Sequence, residues 1–220
     1  MNSVDHIHWK AATDAEFSSH AEQTTWDPKP IFVAKDSPLL KKTIMTKWVF
    51  TIKSDGTYKA RLVARGDLQD DSTYDITYSP TLRPEIARSI FAQNVTNGWF
   101  FKQFDFKTAY LNSLLNTEIY IYAPAGYSKH KSKSDPNKRV IFKLNRGLYG
   151  LKQAGRLWHL ELSKTLAKIG YKRHDAFPST FIKKGRNGQV ICVIGLFVDD
   201  MIVSTKEKSE MQKLSNFLSE

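Results

Sequence analysis

Hydrophobic and polar positions along the chain alternate between two periods, so helices and strands are both expected. Residues 8–21 carry Trp9, Ala12, Ala15, Glu16 and Phe17 at spacings that suit an amphipathic helix. Residues 22–42 hold Pro28, Pro30 and Pro38, which predicts an extended connector with a short strand at Ile31, Phe32 and Val33. Residues 48–53 alternate like a strand, Ser54, Asp55 and Gly56 signal a turn, and residues 58–65 resume the alternation, so the two arms predict a hairpin. A polar loop over 67–79 follows, then a helix that opens at Pro84 and closes near Asn97 and Gly98. Residues 99–105 predict a strand that ends in Asp105, and 106–111 the start of a helix. Strands are expected at 118–122 and 140–144, separated by an exposed loop over 128–139 that is rich in Lys and Ser. From Arg156, the residues Trp158, Leu162, Thr165, Leu166 and Ile169 recur at helical spacing up to Gly170, and 206–218 predict a last amphipathic helix. Strands and helices mix without regular βαβ alternation, and no internal repeat is visible, so the fold class is α+β.

One stretch stands apart from this pattern. Residues 190–203 form a nearly continuous, β-branched apolar run that suits a buried strand pair, yet Asp199 and Asp200 stand side by side within it. Burying ionised carboxylates without partners is strongly penalised. Two readings stay open. In one the pair forms the tip of a tight hairpin, where Asp tolerates turn geometry. In the other the tip lies in a catalytic floor where carboxylates hold divalent metal, which requires a third acid from elsewhere. Asp105, at the end of its own strand, is a candidate for that acid and equally for a helix N-cap.

Composition narrows the class of partner. The 220 residues suffice for one large domain or two small ones that share a core, and 41% are hydrophobic. Mean hydropathy is negative. No apolar run approaches the length of a membrane span, and residues 1–14 lack the apolar block of a signal peptide, which predicts an intracellular chain that meets no membrane. A single cysteine, Cys192, excludes an internal disulfide and reads as a small core hydrophobe. The formal charge of +11 makes a polyanion the leading partner class.

Charge also changes the reading of the first hairpin. On its second arm Lys59, Arg61, Val63 and Arg65 share one strand face, a patch of phosphate size that reads either as a solvated face or as a site. Gly147, Gly150 and Gly155 lie in a segment that permits close backbone approach to a ligand or simply turns. Two-metal phosphoryl transfer needs carboxylates that converge from distant parts of the chain, and Asp105 with Asp199 and Asp200 supplies them. A basic strand for a triphosphate and a positive chain for nucleic acid complete a polymerase constellation. A two-metal nuclease fits less well, since hydrolysis has no use for a nucleotide site.

The residues that carry this constellation also carry a resemblance. They comprise Lys47, Trp48, Val49 and Phe50; residues 58–66; Tyr78, Ser79 and Pro80; residues 104–111; residues 148–154; and Phe197, Val198, Asp199 and Asp200. In that order they resemble the reverse transcriptase domain of copia-type LTR retrotransposons, from about Trp9 to the last helix. The resemblance implies right-hand polymerase fingers and palm, with an antiparallel palm sheet packed on helices. Its segments would be 1–47, an N-terminal helix and connector; 48–98, a fingers hairpin and helix; 99–119, a palm strand with the first catalytic acid; 120–147, a fingers return and flexible loop; and 148–220, a truncated palm with the catalytic hairpin. By the same similarity Asp105 and Asp199 would ligate metal directly and Asp200 would assist. Lys59, Arg61 and Arg65 would grip the incoming triphosphate, with a register ambiguous by one residue. Tyr110 would lie beneath the sugar as a check against a 2′-hydroxyl, Val198 beside the primer end, and Tyr149, Gly150 and Lys152 against nucleotide and template. The implied cofactor is a pair of Mg²⁺ ions, with Mn²⁺ as an alternative. The implied partners are an RNA template, a DNA primer and dNTP, with the remainder of a polyprotein or a second copy supplying a thumb. The implied setting is the cytoplasm, in a virus-like particle, with the nucleus as the alternative.

Two departures from the family pattern bear on these expectations. Gly155 stands where the family usually has proline, and Glu220 precedes the family's primer grip, thumb and ribonuclease H regions. The alternative expectation is therefore a truncated, catalytically inactive remnant that binds nucleic acid.

Overall fold

A computed structural model describes residues 5–127 and 138–219. The chain divides into two compact units, Met1–Tyr78 with Tyr110–Trp158 and Ser79–Ala109 with His159–Glu220. Among the described residues there are four α-helices and eleven strands, and no helix is long and apolar enough to cross a membrane. Helix and sheet mix in both units, as the absence of βαβ alternation predicts.

In the first unit, helix α1 (His6–Glu22) precedes β1 (Ile31–Ala34), the two-residue β2 (Thr43–Ile44) and the hairpin of β3 (Thr46–Ile52) and β4 (Tyr58–Ala64). The later strands β6 (Tyr120–Tyr122) and β7 (Lys138–Lys143) complete a four-stranded sheet of order β1-β7-β6-β2. Its core is built on Trp26, Ile44, Leu62, Ile121, Phe142 and Leu148. Strand β4 buries Ala60, Leu62 and Ala64 and turns Lys59 and Arg61 outward, as alternation requires. Its free edge is not bare. The Leu62 N–H donates to Glu16 of α1 at 3.0 Å, and the Ala64 N–H to the Tyr149 carbonyl at 2.7 Å. Helix α1 turns Thr13 and His20 inward, while Ala15 faces solvent, so its buried stripe includes polar groups that the apolar spacing does not mark. Thr13 donates to the Lys10 carbonyl at 2.8 Å, His20 Nδ1 shares a hydrogen bond with Thr25 Oγ1 at 3.1 Å, and His20 Nε2 lies 3.5 Å from Glu16 Oε1.

In the second unit, β5 (Phe100–Asp105), β8 (Lys172–Arg173), β9 (Thr180–Lys184), β10 (Val190–Phe197) and β11 (Asp200–Thr205) form an antiparallel sheet of order β5-β11-β10-β9-β8. Helix α2 (Pro84–Asn97) begins with proline and stops at Gly98, whose φ of 61° only glycine adopts cheaply. Through Ile90, with Leu82 beside it, α2 covers Val193 and Ile202. On the other face, α4 (Lys208–Ser219) receives a hydrogen bond from Lys102 to Ser215, and its Glu210 bonds Tyr171 and Lys183. The central hairpin β10–β11 is thus covered on both faces, which explains an apolar run instead of an alternating one. Gly195 leaves a notch for Leu82, since a Cβ there would stand 2.7 Å from Leu82 Cδ2. Helix α3 (Ala154–Lys168) begins within the glycine segment, with Gly155 in its first turn, and ends before Gly170, which is left-handed at φ 87°.

Several expectations are corrected. Residues 106–111 do not begin an α-helix; after Thr108 at φ 51° the chain makes only a short 3-10 turn, Ala109–Asn112. Strands β2 and β8, two residues each, are too short to leave a periodic signal. Lys138 and Arg139 pair with Ala34 and Val33 in the sheet instead of ending a loop, while the rest of the expected loop, 128–137, lies outside the described residues. Arg65 does not share the β4 face: the strand ends at Ala64, and Arg65 turns back to Asp67.

Candidate active site

The three acids lie at one end of the second unit's sheet, and register places them there. Strands β5 and β11 are antiparallel with Asp105 directly opposite Asp200, while Phe197 of β10 pairs with Asp200 from the other side. Directly paired residues project to the same face, so Asp105, Asp200 and Phe197 form a row, with Gln103, Ile202 and Gly195 as the next row behind it. Asp200 is therefore a strand residue, whereas Asp199 occupies the two-residue turn with Val198. The Phe106 N–H donates to the Asp199 carbonyl at 2.8 Å, which ties the exit of β5 to the hairpin tip. Val198 adopts φ 48°, a conformation that costs a β-branched residue on the order of 1–3 kcal/mol. The fold holds that strain beside the acids.

Electrostatics at this row is unfavourable without help. Asp105 is exposed and Asp200 half-buried, and two like charges directly across a strand pair repel. Gln103 Nε2 donates to Asp200 Oδ1 at 3.0 Å, and Asp199 Oδ1 is shielded from solvent. Among the described residues, no group of three or more His, Cys, Asp or Glu stands close enough to hold a metal ion as it is. The donor set nevertheless suits one, because carboxylates from β5, from β11 and from the β10–β11 turn offer the oxygen ligands that hard divalent cations take.

The other candidate residues belong to the first unit. Arg61 projects its guanidinium over the Tyr149 ring at 4.6 Å, and Tyr149 packs on Tyr110 with ring centroids 4.5 Å apart. Lys59, two residues back on the same face, is exposed. Gly150, at φ 90°, lies against β4 so closely that a Cβ would strike the Ala64 carbonyl, and a Cβ on Gly66 would strike the Gly150 carbonyl. The glycines thus serve close approach of this segment to the β4 end of its own chain. Arg65 forms a two-pronged pair with Asp67, with Nη2 to Oδ2 at 2.6 Å. That pair raises the Arg65 guanidinium above its usual range and holds the Asp67 carboxyl below its own. Lys152 Nζ bonds the Tyr74 hydroxyl, lies over its ring at 4.4 Å and stands 3.6 Å from Asp71. The Tyr74 bond pushes the Lys152 ammonium upward. Of the basic residues, then, Lys59 and Arg61 share the strand face, while Arg65 and Lys152 are held by neighbouring acids.

Sequence reasoning missed three contributors. Gln69 and Gln153 are buried and bond each other at 2.8 Å, and Gln69 Oε1 accepts the Lys152 N–H at 3.0 Å, so this amide pair holds the loop after Gly150. Gln103 is the third, and no sequence signal marks it, because its contact with Asp200 depends on the strand that β5 pairs with and on the register.

Comparison with known proteins bears on what such a site does. The family described as reverse transcriptase (RNA-dependent DNA polymerase) matches residues 30–220. A retrovirus-related Pol polyprotein from transposon RE1 of Arabidopsis thaliana is 31% identical over 96% of this chain and 14% of its own length. One from transposon TNT 1-94 of Nicotiana tabacum is 33% identical over 83% of this chain and 14% of its own. The truncated transposon Ty1-A Gag-Pol polyprotein of Saccharomyces cerevisiae is 32% identical over 90% of this chain and 16% of its own. The chain thus spans about one seventh of the length of these relatives. Among solved structures, telomerase from Candida albicans in complex with a telomeric RNA fragment aligns at TM-score 0.44 and 11% identity, over 96% of this chain and 43% of that one. A likeness that weak carries no argument about the fold.

Proposed function

The chain belongs to the reverse transcriptase (RNA-dependent DNA polymerase) family, in the form carried by copia-type transposon Pol polyproteins, and from that membership we propose that it is an RNA-directed DNA polymerase module. Its substrates are an RNA template, a DNA primer and dNTP, and its reaction is nucleotidyl transfer to the primer 3′-hydroxyl. The unit that bears the β3–β4 hairpin acts as fingers, and the unit that bears β5, β10 and β11 acts as palm. The observation that carries the reading is the register that sets Asp105 opposite Asp200 with Asp199 in the adjoining turn.

Each residue has a separate task. Asp105 and Asp199 offer the carboxylate oxygens that would hold divalent cations, two Mg²⁺ ions in this reading. Such ions lower the pKa of the attacking hydroxyl and neutralise charge on the leaving pyrophosphate. Asp200 supports the row from its strand position. Lys59 and Arg61 offset the charge of the triphosphate, and Arg61 is pre-oriented by the Tyr149 ring. Arg65 and Lys152 enter this reading as secondary contacts, because each already has an acidic neighbour. Tyr110 limits room at the sugar, and Gly150 keeps the Tyr149 segment close to the β4 strand end.

Primer extension with purified variants tests the assignment. Asp105→Asn and Asp199→Asn are each expected to lower incorporation by about 100-fold or more, since each removes a carboxylate that would hold the cations at the reacting groups. Equal incorporation by wild type and either variant would refute the assignment. Salt-sensitive nucleic-acid binding with no incorporation by any form would identify a binding remnant instead.

A further inference from the structure

We propose that Gln103 is a positioning residue for the acidic row: its amide holds the Asp200 carboxylate beside Asp105 so that the acids receive metal together. This inference rests on the polymerase reading and assigns a task to a residue outside the family-like motif. The geometry is specific. Gln103 stands diagonally across the strand pair from Asp200 on the face they share with Asp105, and its Nε2 donates to Asp200 Oδ1 at 3.0 Å. An ionised carboxylate only accepts, so the amide nitrogen must be the atom turned toward it.

Two further observations separate this from an incidental contact. Gln103 is exposed on β5, the edge strand of its sheet, so no core packing fixes its rotamer and the hydrogen bond itself must offset the lost freedom. The row also needs a donor of this kind. Asp105 and Asp200 repel across the strands, and an ammonium or guanidinium at position 103 would quench that repulsion while competing with metal for the same oxygens. A neutral amide stabilises the carboxylate and leaves its charge available. Partners that orient metal-binding carboxylates in this way commonly contribute 10–100-fold to metal affinity.

The test is Mn²⁺ binding to the metal-free full chain, read from the paramagnetic signal of free Mn²⁺, with thermal melting of each variant as a folding control. Gln103→Met keeps the length of the side chain and removes the donor; Gln103→Thr, a good strand former too short to reach Asp200, serves if the first variant does not melt cooperatively. Loss of the donor is expected to weaken Mn²⁺ binding by about tenfold with the melt preserved. In an Asp200→Asn background the same substitution should change affinity by less than about twofold, because the bond it removes acts through Asp200. Wild-type affinity in both Gln103 variants would overturn the inference, as would an undiminished tenfold loss in the Asp200→Asn background. If Asp105→Asn and Asp199→Asn bind Mn²⁺ as wild type does, the metal reading falls and takes this inference with it. If those acids matter and Gln103 does not, only the inference falls.

Discussion

Gly150 shows how a single position ties a motif to the chain around it. Its φ of 90° and its approach to the Ala64 carbonyl both exclude a side chain, and Gly66 meets the Gly150 carbonyl in turn. Gly150→Ala is expected to destabilise the chain by about 3 kcal/mol, from positive-φ strain plus displacement of β4. Gly56→Ala, also at positive φ but in open space, should cost about 1 kcal/mol. Urea denaturation of the two variants checks the contrast, and equal losses would contradict it. The glycine spacing in the chain announces a close approach or a turn but not the partner, since the partner lies across the fold. Arg65 and Gln103 were opaque for the same reason. The Arg65 pairing depends on the chain turning back after Ala64, and the Gln103 contact depends on which strand β5 pairs with and in what register.

At the scale of elements, the strongly marked segments are those whose residues carry their own stop signals. Pro84 and Gly98 bound α2, Gly56 turns the first hairpin, and the β10–β11 run announces a strand pair buried on both faces. What stayed hidden is how α4 is seated. Its Glu210, buried at 5% exposure, accepts from the Tyr171 hydroxyl at 2.9 Å and pairs with Lys183 at 2.7 Å, while Tyr171 also contacts Cys192 at 3.3 Å. Burial pushes the Tyr171 phenol far upward and the Cys192 thiol to about 11. Both groups stay neutral in the folded chain at pH values where they ionise in the unfolded one. The thiol's contribution is complete below about pH 8.5, the ordinary thiol range, and is lost as pH rises toward 11, whereas the phenol's loss only begins at about pH 10, the ordinary tyrosine range. Melting temperature should therefore fall between about pH 9 and 11, with Cys192 accounting for roughly 2 kcal/mol of the loss. Cys192→Ala should melt lower at neutral pH yet lose less on going alkaline. An unchanged alkaline slope in that variant would show that this thiol is not the titrating group.

For the whole molecule, the proposed polymerase reading uses both the +11 charge and the acidic row. Lys59 and Arg61 belong to one unit, and Asp105, Asp199 and Asp200 to the other. Division of the chain at Tyr78, Ala109 and Trp158 was not marked by any linker composition, because each unit is assembled from two separated stretches. Templated synthesis is the activity proposed from family membership, and Asp105, Asp199 and Asp200 are the residues proposed to carry it. The most direct measurement offers the wild-type chain a 5′-labelled DNA primer on an RNA template with Mg²⁺ and one dNTP at a time. The primer should grow by one nucleotide only with the dNTP complementary to the next template base. No extension with any dNTP, or shortening of a strand in its place, would contradict it.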